Sequence, residues 1–164
     1  AARVSDHFPA SHAASPAQPF KRAPNEGGPA GRSRSCAVSN TRGSPTGEFD
    51  RIWGDTLVEE KSARGIFTIP PGHTAPVSSP AQWAERQIYE KTRNRLRNLM
   101  TAAETRTTVG GSANVPELAE LQAIRRLRFE IDLDHTALRA AVEAQLVRLR
   151  AEFPGWTFEA AFFP

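Results

Sequence analysis

One cysteine, Cys36, stands among 164 residues, so no internal disulfide can form. Neither a CxxC pair nor a His/Cys cluster with zinc-ligand spacing is present. A lone thiol does not report the redox compartment. No run of about 18 apolar residues occurs, which excludes a transmembrane helix from this sequence. The opening stretch AARVSDHFPASHAAS lacks an apolar core, so no secretory signal of the usual kind is expected there. No glycine-rich P-loop is found, and Gly110-Gly111 reads as a turn. Ser62 has no His/Asp set placed to activate it, which argues against a serine hydrolase. No internal repeat is visible. What remains is 39% apolar and 24% charged residues with 13 Pro and 11 Gly. That composition fits one domain plus a tail, and excludes a collagen-like, coiled-coil or wholly disordered chain.

The charge is unevenly placed. Residues 1–46 carry Arg3, Lys21, Arg22, Arg32, Arg34 and Arg42 against Asp6 and Glu26, a formal +4. The whole chain is +3, so residues 47–164 are −1. A binder of polyanions built this way needs a local basic face rather than a general basic coat. Residues 1–46 also hold six Pro, with Val4, Phe8, Phe20 and Val38 as the large apolar residues. Such a segment buries too little apolar surface to offset its ordering entropy, and reads as a flexible Pro/Ala/Ser/Gly-rich linker or arm. Its basic residues leave open a contact with nucleic acid or a partner. Cys36 falls inside it as an incidental thiol.

From residue 47 the texture changes. EFDRIW and TLVEEKS are two short β-rich runs joined by Gly54-Asp55, the signature of a β-hairpin with a type II′ turn. A short strand is expected at 65–69, ended by Pro70-Pro71-Gly72. Ser79-Pro80-Ala81-Gln82 then combines an N-cap, a proline at the first helical position and a capping box. That helix should run to about residue 103. Residues 105–114 read as a loop. A short helix follows to about residue 126, then a strand at 127–133. A third helix over about 135–152 is capped by Asp134, with Leu138, Val142, Leu146 and Leu149 on one side. The last strand is 156–163. Strands mixed with helices predict a layered α/β (α+β) domain over residues 47–164.

The hairpin carries the chemistry. With Gly54 and Asp55 in the turn, Trp53 pairs with Thr56, Ile52 with Leu57, Arg51 with Val58, Asp50 with Glu59 and Glu48 with Lys61. Side chains alternate between faces, so Glu48, Asp50, Ile52, Leu57, Glu59 and Lys61 should share one face. Opposed carboxylates destabilise a hairpin unless something compensates them. A divalent cation held by two hard oxygen ligands and water does so, and Lys61 beside it could stabilise developing negative charge or orient a water. Glu48 could hold Lys61 or assist with metal. The plainer reading is a solvated charged face.

Asp50 followed nine residues later by Glu59-Glu60-Lys61 resembles the PD-(D/E)XK nuclease superfamily, whose motif is an Asp on one strand and (Asp/Glu)-x-Lys on the next. The longer pattern, GEFDRI…LVEEKSARG…PAQWAERQIYEKTRNRL…VPELAELQAIRRLRFEI…FPGWTFEAAF, is similar to C-terminal nuclease modules of bacterial polymorphic or contact-dependent toxins. It covers about residues 47–163. Phe49 stands where many members have Pro. The resemblance implies a restriction-endonuclease-like core, a mixed β-sheet flanked by helices. It implies Asp50 and Glu59 as ligands of Mg²⁺ or Mn²⁺, with the backbone carbonyl of Glu60 assisting, and Lys61 as the catalytic lysine. Gln87 and Lys91, at i and i+4 on the following helix, match the residues the family often adds there.

Arg86, Arg93, Arg95 and Arg97 crowd the same helix. Either they are a solvated basic surface or they contact phosphates beside the metal. Arg125, Arg126 and Arg128 divide the same way. His73 sits in a Pro/Gly-rich loop, and Glu130 and Asp132 read as an outward strand face. The expectation is therefore a metal-dependent nuclease toxin, most directly a DNase. It would be carried by a secretion polypeptide, act in the target cell's cytoplasm and be neutralised by a cognate immunity protein, without membrane insertion of this segment. An RNase (tRNA-directed) toxin of the same fold and a non-catalytic nucleic-acid- or protein-binding module are the alternatives. On this reading Glu59→Ala should leave the fold intact, and relief of carboxylate repulsion would even favour it.

Overall fold

Strand β1 (Arg34–Ser39) opens the sheet in the computed structural model of the chain, which describes residues 34–76, 78–108 and 115–164. Strands β2 (Pro45–Trp53), β3 (Thr56–Lys61), β4 (Glu104–Arg106), β5 (Arg126–Ile131) and β6 (Thr157–Phe162) complete six strands in the order β4-β1-β2-β3-β5-β6. The pairs β4–β1, β1–β2 and β2–β3 are antiparallel, whereas β3–β5 and β5–β6 are parallel. The class is α/β with a mixed sheet.

The boundary expected at residue 46 is corrected. Cys36 and Val38 of β1 are fully buried in the core, so the domain begins at least as early as Arg34. The prolines, serines and glycines around RSCAVS hid a strand whose alternate residues point inward. The rest of the expected arm, residues 1–33, lies outside the described residues. Strand β4 likewise replaces part of the loop expected at 105–114. The strand expected at 65–69 is instead a 3₁₀ turn, Arg64–Phe67, which buries Ile66 alone. Cys36 is a free thiol buried in the core, and burial, with Glu48 adding to it, pushes its pKa up to about 11. The thiol therefore stays protonated near neutrality, where a thiolate would be the reactive form. A disulfide reagent at about pH 8 should leave native protein unlabelled and modify one thiol per chain after denaturation.

The long helix begins as read: the Ser79 side chain accepts from Gln82 N–H, and Gln82 answers to Ser79 N–H. It runs as α1 (Pro80–Ala84), a π-helical segment (Glu85–Glu90) and α2 (Lys91–Thr101). Helix α3 (Leu118–Ala123) is shorter than expected and is boxed by Glu117 and Glu120. Helix α4 (Thr136–Glu152) is capped by His135, whose ring accepts from Ala137 N–H, while Asp134 pairs with Arg139 instead. Leu138, Val142, Leu146 and Leu149 are buried as the spacing requires.

All these helices contribute to one core against one face of the sheet. Cys36, Phe49, Ile52, Leu57, Leu127, Phe129, Ile131 and Phe158 come from the strands. Trp83, Ile88, Leu96 and Leu99 come from the long helix. The other face carries charge: Arg51 donates to Glu130 at 2.6 Å and lies 3.6 Å from Glu60, and Arg126 reaches Glu159. A polar clasp ties the long helix to α4. Glu152 accepts from Tyr89 Oη at 2.7 Å and from Arg93 and Arg97 at 2.8 Å each. The Tyr89 hydrogen bond, with these two arginines, holds the Glu152 carboxyl below the usual carboxylate range. A lowered folded pKa contributes stability that is present above the unfolded value and is lost as pH falls through the folded one. Denaturation melts should therefore show stability falling as pH drops below the carboxylate range, and Glu152→Gln should flatten that dependence.

Candidate functional site

The hairpin turn is as the sequence requires. Gly54 has φ +58, the left-handed conformation that the first position of a type II′ turn demands. Trp53–Thr56, Ile52–Leu57 and Arg51–Val58 are in register. Beyond Arg51 the expected alternation breaks. Arg34 pairs with Ile52 but Cys36 pairs with Phe49, so β2 advances three residues while β1 advances two. This one-residue bulge at Asp50-Arg51 shifts the phase of the strand. Phe49 joins Ile52 on the core face and is fully buried, while Glu48 is exposed. The shared face is thus corrected: Ile52, Leu57, Glu59 and Lys61 belong to it, and Glu48 does not alternate with them and does not pair with Lys61.

The bulge also places Asp50. Its Oδ2 accepts the backbone N–H of Glu60 at 2.9 Å, so a carboxylate takes the place of a main-chain carbonyl where the two strands separate. Its Oδ1 has no hydrogen bond among the described residues. Glu59 points into the core face and is fully buried. Its Oε2 accepts from Lys61 Nζ at 2.6 Å and from the Arg95 guanidinium. Its Oε1 is buried with no hydrogen-bond partner among the described residues. Burial pushes the Glu59 carboxyl above the usual range, opposed by Lys61 and Arg95 and reinforced by Asp50. Lys61 is nearly buried, its side chain 8% exposed. Glu60 turns its side chain to the opposite face, toward Arg51, so only its main chain adjoins the two carboxylates.

Helix α2 forms the second wall. It passes close to Gly47: a Cβ there would meet Arg95 Cγ at 3.7 Å, an ordinary contact, and Val38 Cγ2 of β1 more tightly at 3.3 Å. Asn98 donates to the Thr46 carbonyl and fixes the helix to β2. Between them runs a groove of about 450 Å³ lined by Thr46, Gly47, Glu48, Lys91, Asn94 and Arg95 among others. The structure therefore brings Asp50, Glu59, Lys61 and Arg95 together, with Lys91 beside Arg95 on the groove wall. Gln87 is half-buried on the π segment and makes no hydrogen bond to either carboxylate. The Lys91 N–H reaches back to the Arg86 carbonyl, five residues earlier, so the wider turn offsets Gln87 from Lys91. Arg86 is exposed on the same segment. Arg93 and Arg97 are engaged by Glu152 on the far side of the helix.

Sequence reasoning placed Arg95 among phosphate contacts and missed its bond to Glu59, along with Asn94 and Thr46. The i, i+4 spacing of Lys91 and Arg95, on a helix expected beside the hairpin, was the signal available. Glu130 and Asp132 serve structure: Glu130 holds Arg51, and Asp132 accepts from Ser62 Oγ at 2.8 Å and from Ala63 N–H at 2.6 Å. The Ser62 hydroxyl is thereby occupied. His73 is exposed in its turn. Among the described residues no group of three or more His, Cys, Asp and Glu is gathered for a metal, and no helix is long and apolar enough to cross a membrane. No protein-family model, no curated protein and no solved structure matches this chain.

Proposed function

We propose that this domain is a divalent-cation-dependent phosphodiesterase, a nuclease of the PD-(D/E)XK type with a restriction-endonuclease-like core, and that DNA is its first substrate. The observation that carries the reading is the fully buried Glu59, whose Oε1 has no partner among the described residues and which feels the charge of the Asp50 carboxylate. A protein rarely leaves a buried anionic oxygen unsatisfied without a use for it. Two hard oxygen donors, with water and the Glu60 carbonyl, suit Mg²⁺ or Mn²⁺. Such a cation supplies Lewis acidity toward a phosphate and a more acidic bound water.

The chain's own residues supply the rest. Asp50 is held rigid by the Glu60 N–H. Lys61, nearly desolvated, places a positive charge where the attacking oxygen and the phosphorane oxygens carry negative charge. Lys91 on the groove wall can position a phosphate of the strand, and the offset Gln87 has no such support from the geometry. The mixed sheet with Asp50 on β2 and Glu59-x-Lys61 on β3 agrees with the motif resemblance. The toxin setting, with a carrier polypeptide, delivery into a target cytoplasm and an immunity protein, rests on the sequence resemblance alone.

A second reading draws on the same residues. Lys61 and Arg95 already neutralise Glu59, as they would in a structural ion cluster of a non-catalytic binding module. Cleavage assays separate the two. The purified chain should nick plasmid DNA with Mg²⁺ and not with EDTA. Cutting of bacterial RNA alone would keep the site and change the target. A folded protein that cuts neither polymer would leave the binding module.

A further inference from the structure

We propose that Arg95 is a displaceable counter-ion: it closes on Glu59 while the site holds no cation, and turns to a substrate phosphate in the adjoining groove when one is bound. The inference rests on the nuclease reading above and assigns Arg95 a role within it.

The charges set the argument. Asp50 and Glu59 bring two negative charges and Lys61 and Arg95 two positive ones, so the cluster is neutral as it stands. A divalent cation between the carboxylates would leave a surplus of two positive charges beside the fully buried Glu59, which is costly unless one cation moves away or an anion arrives. Lys61 has little freedom to leave: it sits two residues from Glu59 on the same strand face, its side chain 8% exposed. Arg95 is the freer of the two, with its side chain 22% exposed and its stem against Gly47 on the groove wall. Both cations crowd one oxygen, Oε2, and leave Oε1 without a partner. The groove beside Arg95 also presents Lys91 and Asn94, a basic and an amide donor at helical spacing. A phosphodiester seated there would bring the compensating negative charge, and a guanidinium binds phosphate oxygens through paired N–H donors.

The test titrates Mn²⁺ into the full chain and into Arg95→Gln by calorimetry, then measures oligonucleotide cleavage at saturating Mn²⁺. With its competitor removed, the variant should bind Mn²⁺ more tightly by about fivefold or more. It should also cleave more slowly and with a raised KM for the oligonucleotide. Equal or weaker Mn²⁺ binding in Arg95→Gln, beside a wild type that binds, overturns the counter-ion role and spares the nuclease reading. A wild type that neither binds Mn²⁺ nor cleaves overturns the nuclease reading itself. If Arg95→Gln does not fold, the Arg95 Nε–H resonance of the wild type answers instead, assigned by its loss in Arg95→Lys. It should shift with saturable Mg²⁺ alongside the Glu60 amide. An Arg95 signal that stays fixed while the Glu60 amide moves contradicts the proposal.

Discussion

Glu59→Gln is expected to lower cation-dependent phosphodiester cleavage by at least about a thousandfold, because several kcal/mol of charge stabilisation depend on the cation that Glu59 helps to hold. The fold should survive. The amide oxygen still accepts from Lys61 and Arg95, so Glu59→Gln loses the shared negative charge but keeps both hydrogen bonds and should cost less stability than Glu59→Ala. Circular dichroism and a thermal melt check the fold, and plasmid nicking under Mg²⁺ checks the activity. Glu59→Ala is the poorer variant. The sequence suggested that relieving Asp50–Glu59 repulsion would favour the apo fold, but Glu59 is the shared partner of two cations. Its removal strands a nearly buried Lys61, which costs about 3–5 kcal/mol in comparable buried pairs. Activity unchanged in a folded Glu59→Gln would remove Glu59 from the site.

The second large effect belongs to Lys61. Lys61→Met keeps the aliphatic stem and removes the charge. Turnover should fall by about 10²–10³-fold, the loss typical of deleting one preorganised donor at a developing oxyanion. Mn²⁺ binding should persist, since Asp50 and Glu59 remain. That separation of binding from turnover distinguishes a catalytic lysine from a mere counter-ion of Glu59. A Lys61→Met protein that binds Mn²⁺ and cleaves at the wild-type rate would make Lys61 structural.

The parts of this fold that were legible in the sequence are those fixed by local chemistry. Gly54-Asp55 specifies the turn because glycine alone adopts φ +58 without strain, and the turn sets three pairs of the hairpin. Ser79, Pro80 and Gln82 specify a helix start for the same local reason. The four buried positions of α4 follow from its period. What could not be read depends on distant partners. The bulge at Asp50-Arg51 exists only in the register of β2 against β1, so counting outward from the turn wrongly paired Glu48 with Lys61. Strand β1 itself is stabilised by neighbours on both sides, β2 and β4, and its composition looks like linker. The π segment shifts Gln87 against Lys91 with no proline or glycine to announce it. Asp50, Glu59 and Lys61 could be read together as a candidate site because they are near in sequence. The Arg95–Glu59 bond spans 36 residues and needed the packing of α2 on β2.

The most direct test of the site is anomalous diffraction from crystals of the chain grown with Mn²⁺. The account predicts a manganese peak between the carboxylates of Asp50 and Glu59, bonded to Glu59 Oε1, with Lys61 still in place. Mn²⁺ at saturating concentration with no peak there, and Glu59 still closed by Lys61 and Arg95, would contradict it and leave the cluster as a structural ion network.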